Sequence, residues 1–399
     1  MSQFMPKKSL FIIDGHALCY RSFYAIKSLT NSKGQPTNAI YGFVNTVRKI
    51  LTEYKPGYIA VCFDSKEQTL REKRYAEYKI QRPKMPDELI SQMPLIKEVL
   101  KSFKITSFEA AGYEADDIIA TLALKGLKEK LEIVVVSDDK DMYQLAQKNL
   151  KFLSPSKNVL YDEDALSEKL GFAPNRISDF LGLAGDSVDN IPGVKGIGKV
   201  TASKLINQFG TLEKIIENVA KIEKDSVRVK LEEEKDIALL SKELAQLEEN
   251  VPGDYDFKSL EVQEPDRESL FKYFKEFEFR RLAAEYGQES IEELTVKPLA
   301  KISASSFNAQ AKKAKAFSFL YLEDEAKLLL SADGKASFEL EGKPEELKDI
   351  FEDGAICKIT FNLKSALKSL KKYGIFVSEN SFDCMLAAYL TGLPQSRLN

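Results

Sequence analysis

Apolar residues in the first third of the chain come in short unbroken runs, and each run ends in an acid. Ser9–Asp14 reads S-L-F-I-I-D, Tyr58–Asp64 reads Y-I-A-V-C-F-D, and Ile133–Val136 is followed by Asp138, Asp139 and Asp141. Continuous β-branched runs of this length predict strands buried on both faces, as in a parallel sheet covered by helices. Between them the spacing turns helical over Tyr41–Tyr54, over Glu88–Phe103, and at Ile118, Ile119, Leu122 and Ala123. A helix over Met142–Gln147 and a strand over Lys151–Leu153 complete the set, so the class is α/β with a central, mainly parallel sheet. From Ile177 the pattern is helical throughout, and the charged stretch Lys221–Glu249 reads as a solvated face. Gln288–Ala316 loses periodicity and fills with Ser, Ala and Lys, which predicts a linker. Beyond it, strands are expected at Phe317–Leu322, Ala336–Leu340 and Ala355–Phe361, with helices at Ala326–Leu330, Leu363–Lys372 and Phe382–Leu390.

Length and composition narrow the classes. A chain of 399 residues exceeds one ordinary core, so domains are expected at 1–175, 176–287 and 317–399, with 288–316 between. Its 44% hydrophobic and 30% charged residues describe a globular chain, and a net charge of −3 leaves room for local patches of either sign. Cys19, Cys62, Cys357 and Cys384 have no metal or redox spacing, which suggests a reducing, cytoplasmic setting. His16 is the only histidine, so His-rich zinc chemistry is excluded. No apolar span reaches membrane length.

The candidate chemistry is acidic. Glu114, Asp116 and Asp117 lie at the start of a helix, where acids usually cap. Asp139 and Asp141 follow a buried strand and share a face in extended chain. Two such clusters at adjacent mouths of one βαβ unit repel, and something positive must hold them together. Residues 66–84 carry seven basic side chains (Lys66, Arg71, Lys73, Arg74, Lys79, Arg82 and Lys84) against three acidic ones, with Tyr75 and Tyr78 interleaved. The bases suit phosphates and the tyrosine faces suit unpaired bases; a solvated helix is the bland alternative. Further on, Asp186 and Asp189 precede Gly193, Gly196 and Gly198. With Lys195, Lys199 and Lys204, these glycines predict a helix-hairpin-helix whose backbone approaches duplex DNA.

Taken together, F-I-I-D-G-H-A-L-C-Y-R, V-C-F-D, Y-K-I-Q-R-P-K-M-P, G-Y-E-A-D-D, S-D-D-K-D-M and G-D-S-V-D-N-I-P-G-V-K-G-I-G resemble the 5′-nuclease region of the bacterial DNA polymerase I family. The resemblance spans about residues 8–290 in the family's order. It implies a PIN-like nuclease domain with a helix-hairpin-helix subdomain, acting on 5′ flaps, nicks and RNA primers as a cytoplasmic monomer with no membrane partner. It implies metal ligands at Asp14, Asp64, Glu114, Asp116, Asp117, Asp139, Asp141, Asp186 and Asp189. The first four fall on one metal's side and the last four on the other's, with Asp117 between. Lys79 and Arg82 match catalytic cations of the helical gateway, with Tyr78 beside them. Arg21 and Arg71 match basic motifs, and the glycine hairpin matches an element that also holds potassium. Asp138 stands where the family usually has Gly. Two Mg²⁺ ions about 4 Å apart, replaceable by Mn²⁺, would activate water and stabilise the leaving oxyanion.

Residues 317–399 resemble the start of a ribonuclease-H-like 3′–5′ exonuclease domain, but its acidic motifs are missing. Phe317–Leu320 stands where Asp-x-Glu belongs, and Ser365-Ala366 stands where a ligand Asp belongs. The tail is therefore expected to be a partial, degenerate domain without exonuclease activity, and the chain holds no polymerase. Three alternatives compete with the nuclease. A non-catalytic nucleic-acid binder is opposed by the intact acid set. An Asp14-nucleophile phosphatase is opposed by His16, where a second Asp is wanted, and an EF-hand at Asp139 lacks the required Gly and Glu.

Overall fold

The apolar runs that end in acids are neighbouring strands of one sheet. The computed structural model describes residues 8–287, 299–322 and 325–390. In it Ser9–Asp14 (β1), Tyr58–Cys62 (β2), Thr106–Phe108 (β3), Glu132–Val136 (β4), Leu150–Ser154 (β5) and Val159–Tyr161 (β6) stand in the order β3-β2-β1-β4-β5-β6. Every neighbouring pair is parallel except β5 with β6. Leu10–Ile13 and Ile133–Val136 are buried on both faces, as their unbroken apolar character requires. β2 and β3 extend the sheet to one side of β1, and β4 begins the other side. In open α/β sheets, ligands bind at such a switch point, outside the carboxyl ends of the strands. Asp14 ends β1 there, and the acids 138–141 follow β4.

Helices cover both faces. Gly15–Ala25 (α1) starts directly on β1, with Asp14 Oδ1 accepting from Ala17 N at 2.9 Å as its cap. Asn38–Lys49 (α2) passes into a π-turn, Ile50–Tyr54, which ends at Lys55 in the left-handed region, so the expected single helix is two pieces. Leu70–Arg74 (α3), Asp87–Ile90 (α4) and Met93–Ser102 (α5) lead to Ala115–Lys128 (α6), whose Ile118, Ile119, Leu122 and Ala123 are buried beside Leu10 and Ile133. The helix expected at 142–147 is a short 3₁₀ turn, Asp141–Leu145, which ends as Ala146 turns extended. Glu163–Leu170 (α7) stops at Gly171 in the left-handed region.

A helical lobe follows: Ile177–Ala184 (α8), Lys199–Phe209 (α9), Leu212–Glu217 (α10), Asp225–Glu233 (α11) and Lys235–Ala245 (α12). The solvated reading of Lys221–Glu249 is corrected here. α12 buries Ala238, Ser241 and Leu244, and Lys242 Nζ reaches Asp179 Oδ1 on α8 at 2.6 Å. The chain then returns to the sheet through Arg267–Glu276 (α13) and Arg280–Tyr286 (α14), which bury Leu270, Phe274 and Leu282 in the same core cluster as Phe11 and Phe43. These elements make one compact unit, and residues from 289 on make a second.

The second unit has its own core. Its elements are Ala300–Ser303 (β7), Ala304–Ala314 (α15), Ala316–Leu322 (β8), Lys327–Ser331 (β9), Phe338–Glu341 (β10), Lys348–Glu352 (α16), Cys357–Thr360 (β11), Leu363–Lys371 (α17), Ser381–Asp383 (β12) and Cys384–Leu390 (α18). The strands form one sheet in the order β12-β11-β8-β9-β10-β7. Two expectations are corrected. Part of the expected linker is β7 and α15, because Ala304, Phe307 and Ala311 share a buried helical face. The expected helix at 326–330 is β9, because Leu328 and Leu330 alternate inward with period two against β8. Residues 288–298 of the expected linker, with Glu323 and Asp324, lie outside the described residues.

Candidate active site and nucleic-acid interface

Local structure brings two acid clusters to the switch point. On one side, Asp14 accepts from Ser137 Oγ at 3.0 Å, and Asp64 Oδ1 accepts from Ala115 N at 2.8 Å. His16 Nδ1 accepts from Asp64 N at 2.9 Å. Burial lowers the pKa of His16 despite nearby Asp64, so a neutral ring fixes the loop after β2. Glu114 caps α6 in a reciprocal box with Asp117. On the other side, Asp139 Oδ1 accepts from Asp141 N at 2.8 Å, and Asp139 N donates to Ser137 Oγ at 3.1 Å. The helical lobe contributes Asp186 and Asp189 from the turn after α8, both nearly buried.

The electrostatics of these acids are strained. Burial first, then Asp64 and Asp139 against the bonds from Ala17 and Ser137, pushes Asp14 up to about 7. Burial and then Asp139 push Asp141 up to about 7 as well. Asp116 is raised well above the carboxylate range by burial, then by Asp14 and Asp139. Asp141 Oδ1 is buried with no hydrogen-bond partner. Among the described residues, no three acids already close into a shell able to hold a metal. Basic side chains stand among them instead. Lys79 Nζ lies 2.8 Å from Glu114 Oε1 and 3.9 Å from Asp189 Oδ2. Arg82 Nη2 lies 2.5 Å from Asp189 Oδ1, and Lys140 Nζ lies 2.6 Å from Asp186 Oδ2. Burial opposes the charge of Lys79, yet Glu114 holds its pKa above the ordinary value, and Asp189 does the same for Arg82. The donor set itself, all carboxylate with one orphaned buried oxygen, fits a hard divalent cation.

The remaining predicted residues fall in three places. Gly193, Gly196 and Gly198 form the turn between α8 and α9. Gly193 is left-handed at φ +61°, and a Cβ there would stand 2.3 Å from Gly185 N, so only glycine fits. Gly198 faces open space at the start of α9, which has no side-chain cap, and Lys195, Lys199 and Lys204 are exposed around it. At this turn, where the resemblance places potassium, three backbone carbonyls already accept one hydrogen bond each. Lys230 Nζ on α11 already donates to Lys195 O at 2.8 Å, while the carbonyls of Val194 and Gly198 accept from Ile197 N and Ala202 N. Arg21 on α1 stands 3.6 Å from Asp138, which also takes Ser156 Oγ at 2.7 Å, so Asp138 braces the β5–β6 turn.

Three expectations change. Tyr78 is only 5% exposed and donates to Glu114 Oε2 at 3.3 Å, so it packs in the core and does not offer its face to a base. Arg71 and Asp117 turn to one another: Nη1–Oδ2 and Nη2–Oδ1 are both 2.7 Å, in a bidentate pair. Residues 66–84 are one short helix, α3, followed by turns docked on the Asp186–Asn190 loop, with Lys79 N donating to Asp189 O at 2.9 Å. The sequence reading missed Ser137 and Gln144. Ser137 sits one residue past β4 and bonds Asp14. Gln144 takes Leu247 N at 3.0 Å and gives to Ala245 O at 3.1 Å, tying the β4 mouth to the end of α12. A polar residue between an apolar strand and an acid cluster was the available signal for Ser137; nothing local marks Gln144.

Comparison with known proteins decides the family. Residues 9–171 match the model of the 5′–3′ exonuclease N-terminal resolvase-like domain, and residues 172–268 match the C-terminal SAM fold of the same exonucleases. A 5′–3′ exonuclease of Aquifex aeolicus is 39% identical over 278 residues, covering 70% of this chain and 95% of that protein. The chain belongs to the 5′–3′ exonuclease family. Residues 307–397 match the ribonuclease H-like domain of DNA polymerase I. DNA polymerase I of Bacillus subtilis is 35% identical over 407 residues, covering 96% of this chain and 46% of that protein. The chain thus spans about half the length of the polymerase relatives it matches. The flap endonuclease of bacteriophage T5, solved with DNA and metal ions, shares the fold at TM-score 0.52 and 20% identity, over 69% of this chain and 99% of that one. The catalytic core of Rad2, solved with a DNA substrate, does so at TM-score 0.50 and 19% identity. Among the described residues, no helix is long and apolar enough to cross a membrane.

Proposed function

We propose that the chain is a Mg²⁺-dependent, structure-specific 5′ nuclease that hydrolyses DNA at 5′ flaps, nicks and primer ends as a cytoplasmic monomer. The observation that carries this reading is the meeting of two acid clusters at the β1–β4 switch point, with Lys79 and Arg82 between them. Asp14, Asp64, Glu114 and Asp116 would hold one divalent ion, and Asp139, Asp141, Asp186 and Asp189 the other, several of them through water. Such a metal pair supplies an activated water and a counter-charge for the departing oxyanion. Lys79 and Arg82 already stand among the acids, paired with Glu114 and Asp189, and in this reading they grip the scissile phosphate. The exposed lysines of the glycine turn and the uncapped start of α9 hold the backbone of the downstream duplex. Arg21 extends the basic rim from α1. A potassium ion at the glycine turn would compete with the Lys230 ammonium for the Lys195 carbonyl.

The test is a 5′-labelled flap duplex incubated with the protein and Mg²⁺, with Asp139→Asn beside the unaltered chain. Cleavage is expected only with metal, and the variant is expected to lose it while binding the duplex normally. Loss of one well-placed electrostatic stabiliser costs about 100–1,000-fold in rate. Unaltered turnover in the variant would remove the acids from the mechanism, and duplex binding without any metal-dependent cleavage would favour the non-catalytic binder.

A further inference from the structure

Arg71 and Asp117 were assigned by motif to nucleic acid and to metal, yet neither has an atom to spare. A guanidinium carries five N–H donors, and all of Arg71's are used. Nε donates to Leu244 O at 2.9 Å. Nη1 donates to Asp117 Oδ2 at 2.7 Å and to Glu114 Oε2 at 3.4 Å. Nη2 donates to Asp117 Oδ1 at 2.7 Å and to Gln246 O at 2.6 Å. A carboxylate offers about four acceptor positions, and those of Asp117 are filled the same way. Oδ1 also takes Glu248 N at 2.8 Å, and Oδ2 also takes Glu114 N at 3.1 Å. The two side chains are 12% and 2% exposed. Burial opposes the Arg71 charge, but its bonds and charge partners at Asp117 and Glu114 outweigh that cost and hold its pKa above the ordinary value.

What the pair joins matters more than its own saturation. Glu114 and Asp117 flank the start of α6, where Asp116 also sits. Leu244, Gln246 and Glu248 run off the end of α12, which packs along α8, the helix that leads into Asp186 and Asp189. We propose that Arg71 and Asp117 are a positioning pair, a latch that sets the distance between the acids at the start of α6 and the acids of the helical lobe. Neither touches metal or phosphate. The inference rests on the nuclease reading for its purpose, though not for its geometry.

Three variants test it: Arg71→Gln, Asp117→Asn and the two combined. Breaking one partner of a buried pair should lower the melting temperature by on the order of 10 °C, and the double variant should melt no lower than the worse single one. Calorimetry with Mn²⁺ on folded Asp117→Asn should count as many ions as the unaltered protein binds, whereas Asp139→Asn should bind fewer or bind them at least tenfold more weakly. Binding of a flap duplex in EDTA should keep its salt dependence in Arg71→Gln, whereas a lost phosphate contact would lower the slope by about 0.9. An ion missing from Asp117→Asn, a reduced slope in Arg71→Gln, or fully additive melting losses would overturn the latch. If Arg71→Gln does not fold, Arg71→Lys carries the same readouts, since it keeps the charge and loses the fork. If the unaltered protein binds neither Mn²⁺ nor duplex, the nuclease reading fails while the melting cycle still judges the pair.

Discussion

Asp14 and Asp141 are acids that the fold pushes toward neutrality, and this has a measurable consequence. Burial is the first cause at both, and neighbouring carboxylates add to it, so each titrates near pH 7 in the folded chain against an ordinary value of 3.8. Between those values the folded state holds protons that the unfolded chain has lost. Their contribution to stability is fully present below about pH 3.8 and is lost as the pH rises through about 7. The protein in EDTA should therefore melt at a higher temperature at pH 5.5 than at pH 8, by on the order of a few kcal/mol in stability. Mn²⁺ should raise the midpoint more at pH 8, where the acids release their protons without cost. A melting temperature that is level from pH 5.5 to 8 would count against the strained cluster. Lys79 and Arg82 give a second prediction. Changing either to Ala should slow single-turnover cleavage by ~100-fold or more while Mn²⁺ binding survives, because in the proposed reading their charge serves the phosphate. A loss of Mn²⁺ affinity with no loss of rate at saturating metal would reverse that assignment. Residue types and spacing made most of these side chains legible. They did not tell Asp116 from Asp117, because what separates the two is Arg71 and the peptide of Glu248, the latter 131 residues further on.

Elements whose burial follows a simple period were legible, and those whose period is short or shared were not. β1, β2 and β4 stood out because a strand buried on both faces is an unbroken apolar run. β9 reads equally as a helix from sequence, because an apolar stretch of five residues fits either period and only pairing with β8 decides. α13 and α14 fall in the stretch that reads as helical, but their return to the sheet has no local signal, because their aromatic residues pack on a face built from strands far earlier in the chain. The turn between α8 and α9 was legible from its glycines, although Lys230 arrives from α11 with no local signal. Gly198 is the element's exposed point: a Cβ there meets nothing within 4 Å, and its φ of −86° suits any residue. Gly198→Asp should therefore fold normally and still weaken duplex binding, since its carboxylate would repel a phosphate at the start of α9. Binding of a duplex without a flap should suffer as much as binding of a flapped one, and the salt dependence should flatten. An effect limited to flapped substrates would assign the turn to the flap's path.

At the scale of the whole molecule, the second unit poses the sharpest question. It matches a ribonuclease H-like domain of DNA polymerase I and carries six strands around a core that includes Phe307, Phe317, Phe351 and Leu370. These described residues thus form a core of their own. Yet fold does not carry activity; a site does. The cleft over β8, β9 and β11 is lined by Ser318, Leu320, Ser331, Thr360, Phe361 and Cys384 among others, and among the described residues none that lines it is a carboxylate. Asp383 is near in sequence to Cys384, but it accepts from Leu363 N at 2.9 Å and Met385 N at 2.9 Å, which makes it a cap for two helix starts. Ala366, where a ligand Asp would stand, is buried against the core. A two-metal 3′–5′ exonuclease needs several convergent carboxylates, since hard cations are held by charged oxygen. Thus no 3′–5′ exonuclease activity is expected of residues 317–390, however well they fold. The measurement is a 3′-labelled single strand with Mg²⁺ or Mn²⁺, using Asp139→Asn to silence the 5′ nuclease. Stepwise release of 3′ mononucleotides would overturn this expectation. Serial resistance of the second unit to protease, in the same preparation, would show that the silence belongs to the missing acids and not to a failure to fold.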